Sequence, residues 1–208
     1  MSDDPLPPNG FFPVSLNVVG RRCVVIGPPD DREAVEKVHA LREVDADVLW
    51  IDDPTAIRDE DVIDAFFVIS TPQDPVLSGR LRALSDVHRF LLCTIDQPRF
   101  GFVAMQAIVK AGPVRLGIST GGAAPRVGKH LKLALERMMD DKFIRFIECL
   151  ATQKRRNRTR VADGGERRAR MIAAADGFDV AMQATYPKWF EAEWHGFAPV
   201  VEAKSLAQ

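Results

Sequence analysis

Four short apolar runs alternate with helical patterns in the first half of the chain, and this alternation limits the fold more than any other feature. Residues 32–44 and 75–87 place apolar side chains at the three- and four-residue spacing of a helix. Parallel strands need crossovers of this kind, and such crossovers are right-handed. The sequence therefore predicts an α/β domain built on a parallel sheet. The predicted strands are residues 23–26, 47–51, 65–70 and 90–95.

A polar or flexible residue follows or closes each predicted strand. These positions are occupied by Gly27, Asp52, Thr71 and Asp96. Because parallel sheets bind ligands at the carboxyl ends of their strands, we expect all four at one functional edge. A carboxylate such as Asp96 can accept a proton from a substrate bound there. A turn aspartate before Pro98 is the alternative interpretation, since Asp is common in turns.

The first strand runs into residues 24–34, VVIGPPDDREA, where a dinucleotide-binding fold places its phosphate-binding turn. Pro28 and Pro29 lack the N–H groups that would donate to phosphate oxygens. Two aspartates follow, and each would repel a phosphate by on the order of a kcal/mol. We therefore expect weak dinucleotide binding in the usual pose, and Gly27 is either part of a cofactor site or only the strand-end turn. Asp52 stands where the fold holds an acid that hydrogen-bonds the adenosine ribose, with loop solvation as the alternative.

The segment after the fourth strand carries a different pattern. Residues 102–105 and 114–119 predict two further strands, and residues 126–139 predict a helix. A glycine-rich turn precedes this helix, and its hydroxyl and N–H groups can hold an anionic group. A helix N-cap explains its Ser and Thr equally well. The turn consists of Ser119, Thr120, Gly121 and Gly122.

Residues 140–208 show no strand pattern and predict a helical region. Within it, residues 154–160, KRRNRTR, form a basic run. Arginine side chains bind carboxylates through paired N–H groups, so the run is a candidate anion-binding surface. A solvated helix face is the alternative. Residues 166–183 predict another helix, and an aromatic cluster follows between Tyr186 and Trp194.

Composition argues against several classes of protein. The net charge of −1 does not suggest a nucleic-acid binder, and no nucleic-acid motif accompanies the basic run. None of the three cysteines falls in a CxxC pair and the four histidines are scattered, so we expect no disulfide framework and no metal site. No apolar run approaches the roughly 18 residues that span a bilayer. The expectation is a cytoplasmic protein with a disordered lead-in, residues 1–10.

Four stretches of the chain carry motifs of one known family. Residues 12–27 are similar to its opening strand, and FVIST at 67–71 is similar to the end of a later strand. TIDQP at 94–98 is similar to the element N-x-x-D-x-P, and ISTGGAAP at 118–125 is similar to the turn S-[ST]-G-G-x-[SA]-P. Together they resemble the siroheme synthase family, more narrowly its precorrin-2 dehydrogenase and sirohydrochlorin ferrochelatase module. The similarity extends from about residue 11 to residue 139.

The resemblance implies three regions after the lead-in. They are a Rossmann-like NAD-binding domain at 11–113, a dimerisation segment at 114–150 and a C-terminal helical domain at 151–208. It also implies NAD-dependent oxidation of precorrin-2 to sirohydrochlorin and, in some members, insertion of ferrous iron to give siroheme. The protein would be a homodimer that binds a tetrapyrrole, without a nucleic-acid or membrane partner.

The resemblance also implies roles for particular residues. Asp96 matches the aspartate that serves catalysis in the family. Gly27, Asp52 and Thr71 are the implied cofactor contacts, and the turn at 119–122 would line the tetrapyrrole cleft. Two other functions keep the same fold. One is a tetrapyrrole metal chelatase that works without NAD, because the phosphate-binding turn is degraded, and the other is a non-catalytic tetrapyrrole-binding protein.

Overall fold

The computed structural model describes residues 10–193 of the chain. Almost all of the expected lead-in and the end of the aromatic cluster, including Trp194, lie outside the described residues. The chain divides into two compact units, Met1–Ile147 and Glu148–Gln208. The domain boundaries expected from the resemblance stay predictions.

A four-stranded parallel sheet forms the centre of the first unit. Its strands are β1 (Arg22–Ile26), β2 (Asp47–Ile51), β3 (Phe67–Ser70) and β4 (Leu91–Thr94), in the order β2-β1-β3-β4. The central strand β1 places Val24 opposite Leu49 on one side and opposite Val68 on the other. The predicted α/β fold with a parallel sheet is therefore confirmed.

Three helices and a short 3-10 helix connect these strands. They are α1 (Arg32–Arg42), the 3-10 helix Pro54–Ala56, α2 (Glu60–Ile63) and α3 (Pro75–His88). Asp74 caps α3 by accepting hydrogen bonds from the N–H groups of Val76 and Leu77, and Pro75 occupies the first helical position. Both features favour a helix start, since Pro has no N–H to leave unsatisfied there.

Each face of the sheet has its own apolar core. Val24 and Ile26 of β1 point to the face that contains Leu77 and Leu81 of α3. Cys23 and Val25 point to the opposite face, which α1 covers. Alternate residues of β1 thus serve opposite faces, as the two-residue period of a strand requires. Burial on both faces explains why the middle residues of these strands are apolar.

A β-hairpin follows the sheet, with strands β5 (Ala107–Ala111) and β6 (Val114–Ile118). Helix α4 (Pro125–Met138) packs on one face of it. The shared core contains Val109, Ala111 and Met139. The hairpin pairs residues on both sides of the expected boundary at residue 113.

The strand predicted at residues 102–105 is wrong. The N–H groups of Phe102 and Val103 both donate to the carbonyl of Leu92, at 2.8 and 3.0 Å, and the segment is a loop. Its apolar side chains serve packing instead of a strand ladder. Val103 packs against the α1-side core, and the Arg82 guanidinium lies 3.8 Å from the centre of the Phe102 ring.

The remaining helices are α5 (Asp141–Arg160), α6 (Gly164–Ala175) and α7 (Lys188–Glu193). The helix predicted at 166–183 is wrong in its second half, because α6 ends at Ala175 and Gly177 adopts a left-handed backbone with φ 77°. Glycine takes this conformation readily and commonly ends helices. Across residues 10–193, no helix is both long enough and apolar enough to cross a membrane.

Candidate active site

Asp96 lies two residues beyond the end of β4 in a left-handed backbone conformation, with φ 57°. Asp tolerates this region better than most residues, although at some cost in strain. Its side chain is exposed and lines a cavity of about 1110 Å³. Asp96 therefore faces a large concave space, as its predicted role requires.

Side-chain hydrogen bonds tie the loop that carries Asp96 to the loop after β3. The Thr94 hydroxyl donates to the carbonyl of Gln97 at 2.6 Å, and the Gln97 amide donates to the carbonyl of Pro72 at 3.1 Å. In return, the Gln73 amide donates to the carbonyl of Ile95 at 3.2 Å. These bonds span the carboxyl ends of two adjacent strands, so they hold the Asp96 backbone in place.

The glycine-rich turn lines the same cavity as Asp96, through Ser119, Thr120, Gly121 and Gly122. Gly121 and Gly122 have φ values of 60° and 81°, and open space surrounds the position of a Cβ at either residue. The glycines thus serve backbone conformation and not close packing.

Neither hydroxyl of the turn caps the helix that follows. The N-cap of α4 is Ala124, and no side chain accepts a hydrogen bond there. Instead, the Ser119 hydroxyl accepts a hydrogen bond from the N–H of Gly121 at 3.3 Å. The N-cap alternative is therefore wrong for this turn, and the N-terminus of α4 is left without a side-chain cap.

The structure does not bring Gly27, Asp52 or Thr71 into the cavity lined by Asp96. Thr71 is buried, and its hydroxyl donates to the carbonyl of Ile26 at 3.3 Å. A Cβ at Gly27 would lie 2.2 Å from the Thr71 hydroxyl oxygen. These two residues therefore form a tightly packed strand end.

The two acids after β2 have different surroundings. Asp53 caps the short 3-10 helix by accepting hydrogen bonds from the N–H and hydroxyl of Thr55, at 2.9 and 2.7 Å. These hydrogen bonds hold the pKa of Asp53 below its ordinary value. Asp52 is exposed and takes no part in this cap. Asp52 is thus the acid of the pair that remains available to hydrogen-bond a ribose.

The turn after β1 does not fit the pyrophosphate of NAD in its usual pose. The carboxylate of Asp31 accepts a hydrogen bond from the N–H of Glu33 at 2.9 Å, so a negative charge already occupies the N-terminus of α1. Pro28 and Pro29 offer no donors. In addition, the Trp50 indole donates to the carbonyl of Gly27 at 2.9 Å, so Trp50 packs against this turn.

No protein-family model matches the chain. A siroheme synthase of Nitrosococcus oceani is 26% identical over 169 residues, which cover 73% of this chain and 36% of that protein. A precorrin-2 dehydrogenase of Bacillus subtilis is 28% identical over 100 residues, which cover 48% of this chain and 61% of that protein. The resemblance to the siroheme synthase module is confirmed. The chain spans about a third of the length of the siroheme synthases that it matches.

A solved structure of SirC, a precorrin-2 dehydrogenase, superimposes on this chain with a TM-score of 0.64. The match covers 80% of this chain and 90% of SirC, at 16% sequence identity. At that identity the likeness establishes the fold. The roles of individual residues must therefore be argued from this chain's own cavity.

The sequence patterns did not reveal the charged residues that α1 and α4 contribute to the cavity. Charged lining residues that the prediction did not include are Arg32, Glu33, Glu36, Lys129, Lys132 and Glu136. The helical spacing of Lys129 and Lys132 was visible in the sequence. Their direction was not, because it depends on how α4 packs on the hairpin.

Cys93 also lines the cavity, and burial raises the pKa of its thiol to about 11. The thiol is therefore protonated at neutral pH and is a poor nucleophile or metal ligand. Within residues 10–193, no group of three or more His, Cys, Asp or Glu side chains is arranged to hold a metal ion.

Proposed function

We propose that this chain acts as a precorrin-2 dehydrogenase in siroheme biosynthesis, converting precorrin-2 to sirohydrochlorin. The observation that carries the proposal is a single cavity lined by both Asp96 and the turn at residues 119–122. Its volume of about 1110 Å³ slightly exceeds the range of typical small-molecule sites, which is roughly 300–1,000 Å³. Relatives named siroheme synthase and precorrin-2 dehydrogenase support the same activity.

Asp96 supplies the base in this proposal. Oxidation of precorrin-2 releases a proton from the macrocycle and passes a hydride to an acceptor that must be supplied to the reaction. A carboxylate held at the end of a strand and open to the cavity can take that proton without rearranging the protein. The hydrogen bonds of Thr94 and Gln97 restrain the loop backbone from which the carboxylate extends.

The glycine-rich turn and the start of α4 bind the peripheral carboxylates of the macrocycle. The N-terminus of α4 has no side-chain cap, so its N–H groups and helix dipole are available to an anion. Gly122 and the neighbouring turn residues open onto the cavity. A carboxylate bound here would orient the ring relative to Asp96.

We assign no step to NAD, the hydride acceptor that the resemblance implies, because the turn after β1 does not fit its pyrophosphate. This misfit supports a second candidate function, insertion of ferrous iron into sirohydrochlorin without NAD. Asp96 would then accept pyrrole protons as the metal, a substrate in this reaction, enters the ring. A non-catalytic tetrapyrrole carrier would keep the cavity and use neither step.

Anaerobic incubation of the purified chain with precorrin-2 tests the proposal. Oxidation extends the conjugation of the ring, so sirohydrochlorin formation is followed by visible absorbance. The proposal expects catalytic turnover when NAD is supplied in large excess as the hydride acceptor, since the turn after β1 predicts weak binding of NAD. Turnover of sirohydrochlorin and ferrous iron to siroheme, with no oxidation of precorrin-2, would select the chelatase. Tight binding of the macrocycle with neither reaction would select the carrier.

Replacing Asp31 with Ser should strengthen NAD binding about fivefold, because it removes one charge repulsion of on the order of a kcal/mol. Ser is a good N-cap, so α1 keeps its first hydrogen bond. Isothermal titration calorimetry measures the dissociation constant. Asp64→Ser makes the same charge change away from the turn and should have no effect. Micromolar binding by the unaltered chain, unchanged in Asp31→Ser, would contradict the misfit.

We also propose that the protein is a cytoplasmic homodimer. In support, Val127 and Leu131 of α4 lie four residues apart, and 54% and 40% of their residue surface is exposed. Residues at this spacing share one helix face, so a second copy could cover both. Sedimentation velocity should show a dimer that Leu131→Glu converts to a monomer. A monomeric unaltered chain would contradict this proposal.

A further inference from the structure

We infer that Lys129 is the side chain that binds a carboxylate of the tetrapyrrole substrate and so sets the orientation of the ring. The inference rests on the proposed function, since it assumes that a macrocycle occupies the cavity lined by Asp96. Lys129 lies on α4 and lines that cavity. It was not among the predicted substrate contacts.

The other cations at the cavity wall are already paired with carboxylates. Arg32 binds Glu36 at 2.7 Å, and Lys132 lies 3.7 Å from Glu136. The pKa of Glu36 lies below its ordinary value, mainly through the Arg32 hydrogen bond and in smaller part through the positive charge of Lys132. Lys132 therefore interacts with both Glu136 and Glu36.

The acids that α1 contributes to the cavity are also engaged. Glu33 binds Lys37 at 2.6 Å, and Asp31 caps α1. Of the ionised groups lining the cavity, Lys129 is then the cation that has no ion-pair partner among residues 10–193. Its charge is free for an incoming anion.

Packing holds Lys129 beside the glycine-rich turn. The preceding residue, Gly128, is buried, and a Cβ there would lie 3.5 Å from the Thr120 methyl group. Lys129 follows directly in the second turn of α4, close to the uncapped N-terminus of the helix. The ammonium group and the turn's N–H groups thus form one anion-binding wall, opposite in charge to the acids of α1.

The arrangement of charge gives the ring a preferred orientation. Carboxylates of the substrate are attracted to Lys129 on the α4 wall, whereas the α1 wall offers them no unpaired cation. A macrocycle held by its edge at Lys129 extends across the cavity that Asp96 also lines. Lys129 is therefore a positioning residue, and the chemistry remains with Asp96.

Titration with two stable fluorescent porphyrins tests the inference. Uroporphyrin, an octacarboxylate, and coproporphyrin, a tetracarboxylate, share one ring and differ in peripheral charge. Lys129→Met should weaken uroporphyrin binding about fivefold and coproporphyrin binding by less. Lys129→Arg should restore the affinity, because it restores the charge. Arg137→Met, on the same helix but outside the cavity lining, is the matched control and should bind as the unaltered chain does.

Absence of the macrocycle site and absence of a role for Lys129 would give different titration results. If the unaltered chain binds neither porphyrin, the proposed macrocycle site is wrong. If it binds uroporphyrin and Lys129→Met matches Arg137→Met, the proposed function stands and the assignment of Lys129 is overturned. Raising the salt concentration should reduce the difference in uroporphyrin affinity between Lys129→Met and the unaltered chain, since salt screens exposed charges.

Discussion

Asp96→Asn should lower the rate constant for oxidation of precorrin-2 by about a hundredfold or more, the contribution of a positioned general base. The amide keeps the size and shape of the carboxylate but cannot accept the proton. Substrate affinity should change little, because the carboxylate-binding groups lie on the glycine-rich turn and α4. Single-turnover measurements of sirohydrochlorin formation separate the rate of the chemical step from binding.

Asn is the informative substitution because of the backbone at this position. Asp96 has φ 57°, a conformation that Asn adopts readily and that Ala adopts only with strain. Asp96→Ala would combine lost chemistry with a disturbed loop. Asp45 provides a matched control, since it is exposed, has φ 56° and lies outside the cavity lining. Asp45→Asn should therefore leave the rate unchanged.

The outcome bears on all three candidate functions. A chelatase should lose iron insertion in Asp96→Asn for the same reason, since pyrrole protons need an acceptor. A carrier should bind porphyrin equally well in both forms and show no reaction in either. Full dehydrogenase activity in Asp96→Asn would remove Asp96 from the mechanism.

Gly27→Ala should lower the free energy of unfolding by about 3 kcal/mol, as overpacking of a tight site does. The added Cβ would lie 2.2 Å from the hydroxyl oxygen of Thr71 and 2.8 Å from the Cβ of Ala34. Both neighbours are buried, one at the end of β3 and the other on α1, so neither can move away freely. Urea unfolding followed by circular dichroism measures the change.

The control for Gly27 is another glycine with space around it. Gly79 lies inside α3, and a Cβ there would meet the Phe100 ring at 3.9 Å, an ordinary contact distance. Gly79→Ala should therefore raise the free energy of unfolding by about 0.5–1 kcal/mol, the gain in helix propensity. If Gly27→Ala also raises the free energy of unfolding, close packing does not explain why residue 27 is a glycine.

Partial rescue would locate the strain at Gly27. In the background of Gly27→Ala, Thr71→Ala removes the hydroxyl oxygen that the new methyl group would meet at 2.2 Å. Thr71→Ala should lower the free energy of unfolding by less in the Gly27→Ala background than in the unaltered chain. The difference between the two values is the coupling energy of the two sites. A fully additive pair would place the strain at Ala34 instead.

The sequence by itself determined the parallel sheet and which residues lie at the carboxyl ends of its strands. The strands β1 to β4 are buried on both faces, so the side chains of their middle residues are apolar on both sides. Helical patterns separate the strands, which indicates the helical crossovers that join parallel strands. The ends of these strands follow from the same pattern, so Asp96 was found without any long-range information. The prolines after Gly27 were also readable as a misfit to phosphate, because a missing N–H is a property of the residue itself.

Only the tertiary structure decided which of the strand-end residues share a site. It places Asp96 in a cavity with the glycine-rich turn, and it places Gly27 and Thr71 in a packed strand end outside that cavity. Helix α4 packs on the hairpin and so brings Lys129 into the same cavity lining as Asp96, an arrangement made by contacts distant in sequence. Local periodicity specifies which residues share a face of one element, but only packing between elements specifies what that face meets.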